Sequence, residues 1–175
     1  MINNYVVYIL HGLGADSHAN WFPWLKQQLK DKGYTVVVPD FPKAVVPQLD
    51  EWLQVMHSVV GEYGEGIIVG HSLGGLLAVQ FLLHGGKAPK TILTATPFQP
   101  VEFIQEIDGF FPNKSELSKL KTKSDFIIVQ ADNDPYVDIK DGQGWADKLN
   151  GQLVMLPGLG HLTIEELPEI LQYFA

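Results

Sequence analysis

Residues 66–75 read Gly-Ile-Ile-Val-Gly-His-Ser-Leu-Gly-Gly, and they confine the chain to few architectures. The apolar run Ile67-Ile68-Val69 enters Gly70-His71-Ser72-Leu73-Gly74, and Leu76-Leu77-Ala78-Val79-Gln80-Phe81-Leu82 leaves it. This pattern is strand, sharp turn, helix, with a serine at the tip. The G-x-S-x-G spacing has a steric cause: a serine in a strained turn needs neighbours without side chains, so that strand and helix can approach. The turn exposes the hydroxyl, and the N-terminus of the following helix offers N–H groups to a developing negative charge.

A serine hydroxyl attacks only when a base takes its proton. The order that goes with such a turn is Ser, then Asp or Glu, then His. Only His84 and His161 follow Ser72. His84 ends the helix that begins at the turn, and at about 1.5 Å per residue that helix carries it ~18 Å away. His161 remains. It stands in Pro157-Gly158-Leu159-Gly160-His161, directly after the apolar run Leu153-Val154-Met155-Leu156. Loops at the C-terminal ends of strands are where open α/β sheets place their sites.

The acid belongs after the preceding strand, Phe126-Ile127-Ile128-Val129. Asp132, Asp134 and Asp138 compete there. Pro135 favours a turn and biases Asp134 away from helix, which would hold Asp134 on the loop facing the sheet end. Asp132 reads as a turn former bonding its own loop, and Asp138 as the start of the next helix. A second oxyanion donor should come from the loop after the first strand, Tyr5-Val6-Val7-Tyr8-Ile9-Leu10, near His11-Gly12-Leu13-Gly14. The expected pair of donors is the backbone N–H groups of Leu13 and Leu73. Taken alone, His11-Gly12 would be a strand-ending turn.

With these pieces in place the chain resembles the α/β-hydrolases, and in particular the small, lidless serine hydrolases typified by retinoblastoma-binding protein 9. The resemblance rests on His11-Gly12, Asn20-Trp21-Phe22-Pro23-Trp24-Leu25, Gly70-His71-Ser72-Leu73-Gly74, Asp134-Pro135-Tyr136-Val137 and Gly160-His161, and so covers almost the whole chain. It implies Ser72, Asp134 and His161 as nucleophile, acid and base. It also implies a six-stranded parallel sheet of order 2-1-3-4-5-6. Retinoblastoma binding through Leu-x-Cys-x-Glu cannot carry over, because the chain has no cysteine.

Composition narrows the rest. At 175 residues, 46% apolar and 18% charged, residues 1–175 read as one domain with a real core. A net charge of −8 argues against nucleic acid as a partner and weakly disfavours anionic substrates. Met1-Ile2-Asn3-Asn4 carries no basic segment or separate apolar region, and no run is long enough to span a membrane. The lack of cysteine fits a reducing cytosol, and also some secreted bacterial proteins; a cytoplasmic location is expected. No cofactor is expected, and the protein is expected to be a monomer or weak homodimer.

Strands and helices alternate throughout, which predicts a parallel sheet with helices on both faces. Strands are expected at 4–10, 35–38, 66–69, 91–95, 125–130 and 151–155. Helices are expected at about 22–32, 48–60, 73–84 and 139–149. A last helix over about 163–173 contains Pro168, which predicts a break or a late start. Residues 96–124 are too short for a large cap and predict small helices at 101–106 and 115–121. The expected pocket residues are Trp21, Phe98, Phe111 and Tyr136. For the phenylalanines of this segment, packing into a satellite core is an equal reading. His71 should pack or hydrogen-bond below the site, and His18 and His57 should lie at the surface. The aspartates at 132–141 do not fit a calcium loop, and Ser17 occupies the place of a dinucleotide fingerprint's third glycine. Two functions follow. One is a carboxylesterase-like serine hydrolase acting on small esters, thioesters or amides. The other is a non-catalytic protein-binding module on the same fold.

Overall fold

Alternate residues of each central strand feed two separate cores. Tyr8, Leu10, Ile68, Leu93, Phe126 and Ile128 face one side, where they meet Trp52, Leu76 and Trp145. Val7, Ile9, Ile67, Val69, Ile92 and Val129 face the other, where they meet Phe22, Leu25, Leu162 and Ile170. This two-sided burial is what a parallel sheet covered on both faces demands. The computed structural model describes residues 6–174. Its elements are β1 (Val6–Leu10), α1 (Phe22–Asp31), β2 (Thr35–Val37), α2 (Leu49–Tyr63), β3 (Gly66–His71), α3 (Leu73–Leu83), β4 (Lys90–Thr94), β5 (Asp125–Ala131), α4 (Ile139–Leu149) and β6 (Gln152–Leu156). The sheet has six strands in the order β2-β1-β3-β4-β5-β6, and every pairing is parallel. The expected topology is the observed one. Residues 4 and 5, assigned to the first strand from sequence, lie outside the described residues.

Each helix has a local reason. α1 buries Phe22, Leu25 and Leu29, a single stripe, and stops at Gly33, whose φ is 87°. α2 buries Trp52, Leu53 and Met56, opens with Asp50 and Glu51, and ends at Gly64. α3 differs: Leu73 through Leu82 are all buried, so the helix is apolar on every side. It lies between the sheet and the layer made by α2 and residues 96–124. α4 begins at Asp138, whose side chain accepts the Lys140 N–H, and ends at Asn150 in the left-handed region.

Two expectations need correction. The C-terminal segment is not an α-helix over 163–173. It is a 3₁₀ helix, Pro168–Phe174, which starts late at Pro168 as the proline predicts, since a missing N–H costs nothing at the first position. Residues 96–124 carry two 3₁₀ helices: Gln105–Phe110, shifted from the expected 101–106, and Leu117–Leu120, which lies within the expected 115–121. In that segment Phe110 is buried, while Phe103 is 89% exposed and belongs to neither core. Among the described residues no helix is long and apolar enough to cross a membrane.

Candidate active site

The site is built on the C-terminal ends of β3, β5 and β6. Ser72 sits between β3 and α3 with φ 53° and ψ −118°, a backbone conformation costly for any residue with a side chain. The packing of the turn holds it there. The Ser72 N–H extends the sheet ladder to Thr94 O at 2.9 Å. A Cβ on Gly70 would lie 2.4 Å from Gly74 O, and one on Gly74 would lie 2.2 Å from Leu10 O. Both glycines of G-x-S-x-G are therefore sites of backbone-on-backbone contact, as the spacing predicts.

Asp134 and His161 meet. The His161 Nδ1–H donates to Asp134 Oδ2 at 2.8 Å, with the carboxylate side chain fully buried and the imidazole 15% exposed. The other carboxylate oxygen, Oδ1, accepts the N–H groups of Tyr136 at 2.8 Å and Val137 at 3.1 Å. That bonding fixes the tautomer of His161 and leaves Nε2 as its basic atom. Ser72 and His161 line one cavity of about 300 Å³. Among the described residues no hydrogen bond joins the Ser72 hydroxyl to the imidazole; such contacts commonly tighten only with substrate in place.

Leu13 also lines the cavity. Around it, Gly14 N–H bonds Ala44 O and Ala15 N–H bonds Gly12 O, and neither Leu13 N–H nor Leu73 N–H has a main-chain partner among the described residues. Leu73 N–H is a first-turn donor of α3, while its side chain is buried in the core. A Cβ on Gly12 would come within 3.2 Å of Ser72 Cβ, so the loop runs hard against the serine. His11 anchors that loop. Its Nδ1–H donates to Gly12 O at 2.9 Å, and Nε2 accepts the Phe41 N–H at 3.0 Å. Burial between the Phe41 and Trp52 rings pushes its pKa down and keeps it neutral.

Of the four expected pocket residues, only Tyr136 lines the cavity, its ring edge-on to His161 with centroids 5.1 Å apart. Trp21 does not: it is fully buried, and its indole N–H donates to Leu162 O at 3.1 Å. Phe98 packs edge-on against Trp145, with the Lys114 ammonium 4.3 Å from its ring centre. Phe111 packs against the core on the α2–α3 side. The apolar wall is made instead by Pro97, Val101, Ile104 and Ile107. The sequence carries a signal for it, since 101, 104 and 107 repeat every three residues, the period of a 3₁₀ turn.

Asp132 also departs from expectation. Its carboxylate does not serve its own loop but accepts Gly158 N–H at 2.8 Å, across the sheet end. His71 lies below the serine as expected, buried, with Nε2–H donating to His161 O at 2.8 Å. Burial, and then the charge of the neighbouring His161, bring its pKa down to about 4. Among the described residues no three His, Asp or Glu side chains gather to hold a metal.

The chain is 26% identical over 169 residues to the Bacillus subtilis (strain 168) protein YdeN, named as a hydrolase, covering 91% of this chain and 87% of that one. It is 22% identical over 164 residues to the serine hydrolase RBBP9 of Rattus norvegicus, covering 93% and 88%. The crystal structure of the B. subtilis ydeN gene product superposes with a TM-score of 0.91 at 24% identity, over 98% of this chain and 97% of that one. A carboxylesterase structure from Nitrososphaera gargenis superposes with a TM-score of 0.77 at 14% identity, over 99% and 89%. These superpositions concern the fold. The model of the serine hydrolase family matches residues 7–173, from the first described strand to the C-terminal 3₁₀ helix, and the chain belongs to that family.

Proposed function

We propose that this hydrolase cleaves small carboxylic esters, with thioesters and amides as related substrates, through an acyl-enzyme on Ser72. The observation that carries the proposal is one cavity lined by Ser72, His161 and the loop of Leu13, with the His161 Nδ1–H committed to Asp134. In this scheme Nε2 takes the Ser72 proton as Oγ attacks the carbonyl carbon. The N–H groups of Leu13 and Leu73 receive the oxyanion. The imidazolium, oriented and stabilised by Asp134, gives its proton to the leaving group. Water then repeats the steps and releases the acid. The scheme uses protein groups and water alone. The cavity lining supports a small, uncharged acyl group, because Pro97, Val101, Ile104 and Ile107 form one side of it. The net charge of −8 agrees with a neutral substrate. A cytoplasmic monomer or weak dimer remains part of the proposal.

A fluorophosphonate probe should label the protein once, at Ser72, and Ser72→Ala should abolish labelling. Ester turnover should fall by ~10³ or more, since the three groups act as a unit. Equal labelling of the alanine variant would put the reactive nucleophile elsewhere and overturn the reading, and a wild-type protein that is neither labelled nor active would favour a non-catalytic binding module.

A further inference from the structure

The segment that carries His161 is held from outside itself. Gly158, Gly160 and Leu162 have φ of 73°, 57° and 53°, and for leucine that conformation is unfavourable. The loop does not fix itself: its internal main-chain bond is Leu162 N–H to Leu159 O at 3.2 Å. The other holds come from side chains of distant elements. Two of them act on the base's own stretch of backbone. Asn133 Oδ1 accepts the N–H of Gly160 at 2.8 Å, one residue ahead of the base, and His71 Nε2–H donates to the C=O of His161 itself at 2.8 Å.

We propose that His71 and Asn133 are positioning residues, which set where the His161 imidazole stands relative to Ser72 and Asp134. The inference rests on the hydrolase reading above. Asn133 immediately precedes the acid, and His71 immediately precedes the nucleophile. Each therefore ties the base's main chain to the turn that presents one of its two partners. Displacement of either turn carries the base with it, so the mutual distances are kept. Asn133 is exposed, so burial does not explain the choice of residue there; its acceptor oxygen does. His71 is buried, its Nδ1 has no hydrogen-bond partner among the described residues, and the ring is useful at that position for the one N–H it presents.

The test uses p-nitrophenyl acetate turnover, the rate of fluorophosphonate labelling and the pH profile of kcat/KM. Asn133→Ala should fold, because the residue is exposed. It should lower kcat and the labelling rate on the order of 10-fold, short of the ~100-fold that a 1 Å misplacement can cost, with KM unchanged. The acid limb of its profile should move to lower pH, because a looser Asp134 contact stabilises the imidazolium less. Asn133→Asp keeps an acceptor oxygen and should restore kcat, with the acid limb moved upward by the added charge. His71→Leu removes the buried donor and His71→Gln keeps an N–H, so the leucine variant should lose more kcat than the glutamine. If His71→Leu fails to fold, Asn133 alone decides. An Asn133→Ala protein with wild-type kcat, a loss carried by KM, or an unmoved acid limb overturns the proposal. A wild-type protein that hydrolyses and is labelled at Ser72 while Asn133→Ala matches it sinks the positioning role only. A wild-type protein that is not labelled sinks the hydrolase reading, and this inference with it.

Discussion

A carboxylate that orients an imidazole must itself be held, and Asp134 is held by two backbone N–H groups on the oxygen that His161 leaves free. Asp134→Asn should keep those bonds and the fold, yet its amide favours the wrong histidine tautomer. A loss of ~10⁴ in turnover is expected by analogy with a well-studied triad. Asp132→Asn keeps an acceptor for Gly158 N–H and should cost far less; kinetics on both folded variants decide between the two residues. Turn chemistry around Pro135 pointed to Asp134 from sequence. The bond made by Asp132 was not legible, because its partner lies 26 residues away on another loop. The pocket aromatics failed for a related reason. Trp21 and Phe98 are large enough to be taken by the core, and neither composition nor local spacing says which aromatic the core will claim. His71 has a consequence for stability. Above pH ~6.5 it is neutral folded and unfolded, and costs nothing. As pH falls towards about 4, the unfolded chain takes a proton that the buried ring refuses, so stability drops through that window. The full penalty is on the order of 3 kcal/mol. Thermal melts from pH 7 to 4.5 should therefore fall more steeply for wild type than for His71→Gln.

At the scale of elements, the turn from β3 into α3 is specified by contact distances. Gly74→Ala would drive a Cβ to 2.2 Å from Leu10 O, and backbone cannot move aside as a flexible side chain can. It should destabilise the protein by at least ~1–3 kcal/mol, the range for overpacked sites. Gly61, inside α2, has open space where a Cβ would go, and Gly61→Ala should stabilise by about 0.5–1 kcal/mol through helix propensity. Urea melts of the two variants should move in opposite directions. α1, α2 and α4 were legible because each has a buried stripe, a start and a stop, such as Phe22, Leu25 and Leu29 with Gly33 in α1, and α3 because an unbroken apolar run follows the serine turn. The late start at Pro168 was legible from the proline itself, whereas the helix at Gln105–Phe110 was displaced from its expected span because the three-residue repeat 101, 104, 107 gives no α-helical periodicity.

For the whole molecule, the span between β4 and β5 governs what the site can accept. Pro97, Val101, Ile104 and Ile107 supply one wall, and its two 3₁₀ helices, Gln105–Phe110 and Leu117–Leu120, are too short to make a large cap over a long chain. Each buried methylene of an acyl chain contributes ~0.8 kcal/mol only while there is wall to cover it. On the proposed reading, kcat/KM should peak between acetyl and about hexanoyl esters and fall beyond, with no jump when longer substrates aggregate. A p-nitrophenyl ester series from acetate to palmitate checks both; a long-chain maximum would mean that the segment forms a lid. The sheet order was legible from the resemblance, and the alternation of strands and helices required its parallel pairing.

The segment that follows His161 also closes the second core. Leu162, Leu167, Ile170 and Phe174 cover the sheet face shared with α1, and Tyr34 and Lys90 reach across to main-chain oxygens of Phe174 and Tyr173. Synthesis delivers Ser72 before this strap. A nascent chain thus holds its serine, both proposed oxyanion donors and a bare apolar sheet face before it has the proposed base. The same residues that cover the bare face seat His161, so on the proposed reading the hydroxyl becomes reactive as the apolar face is buried.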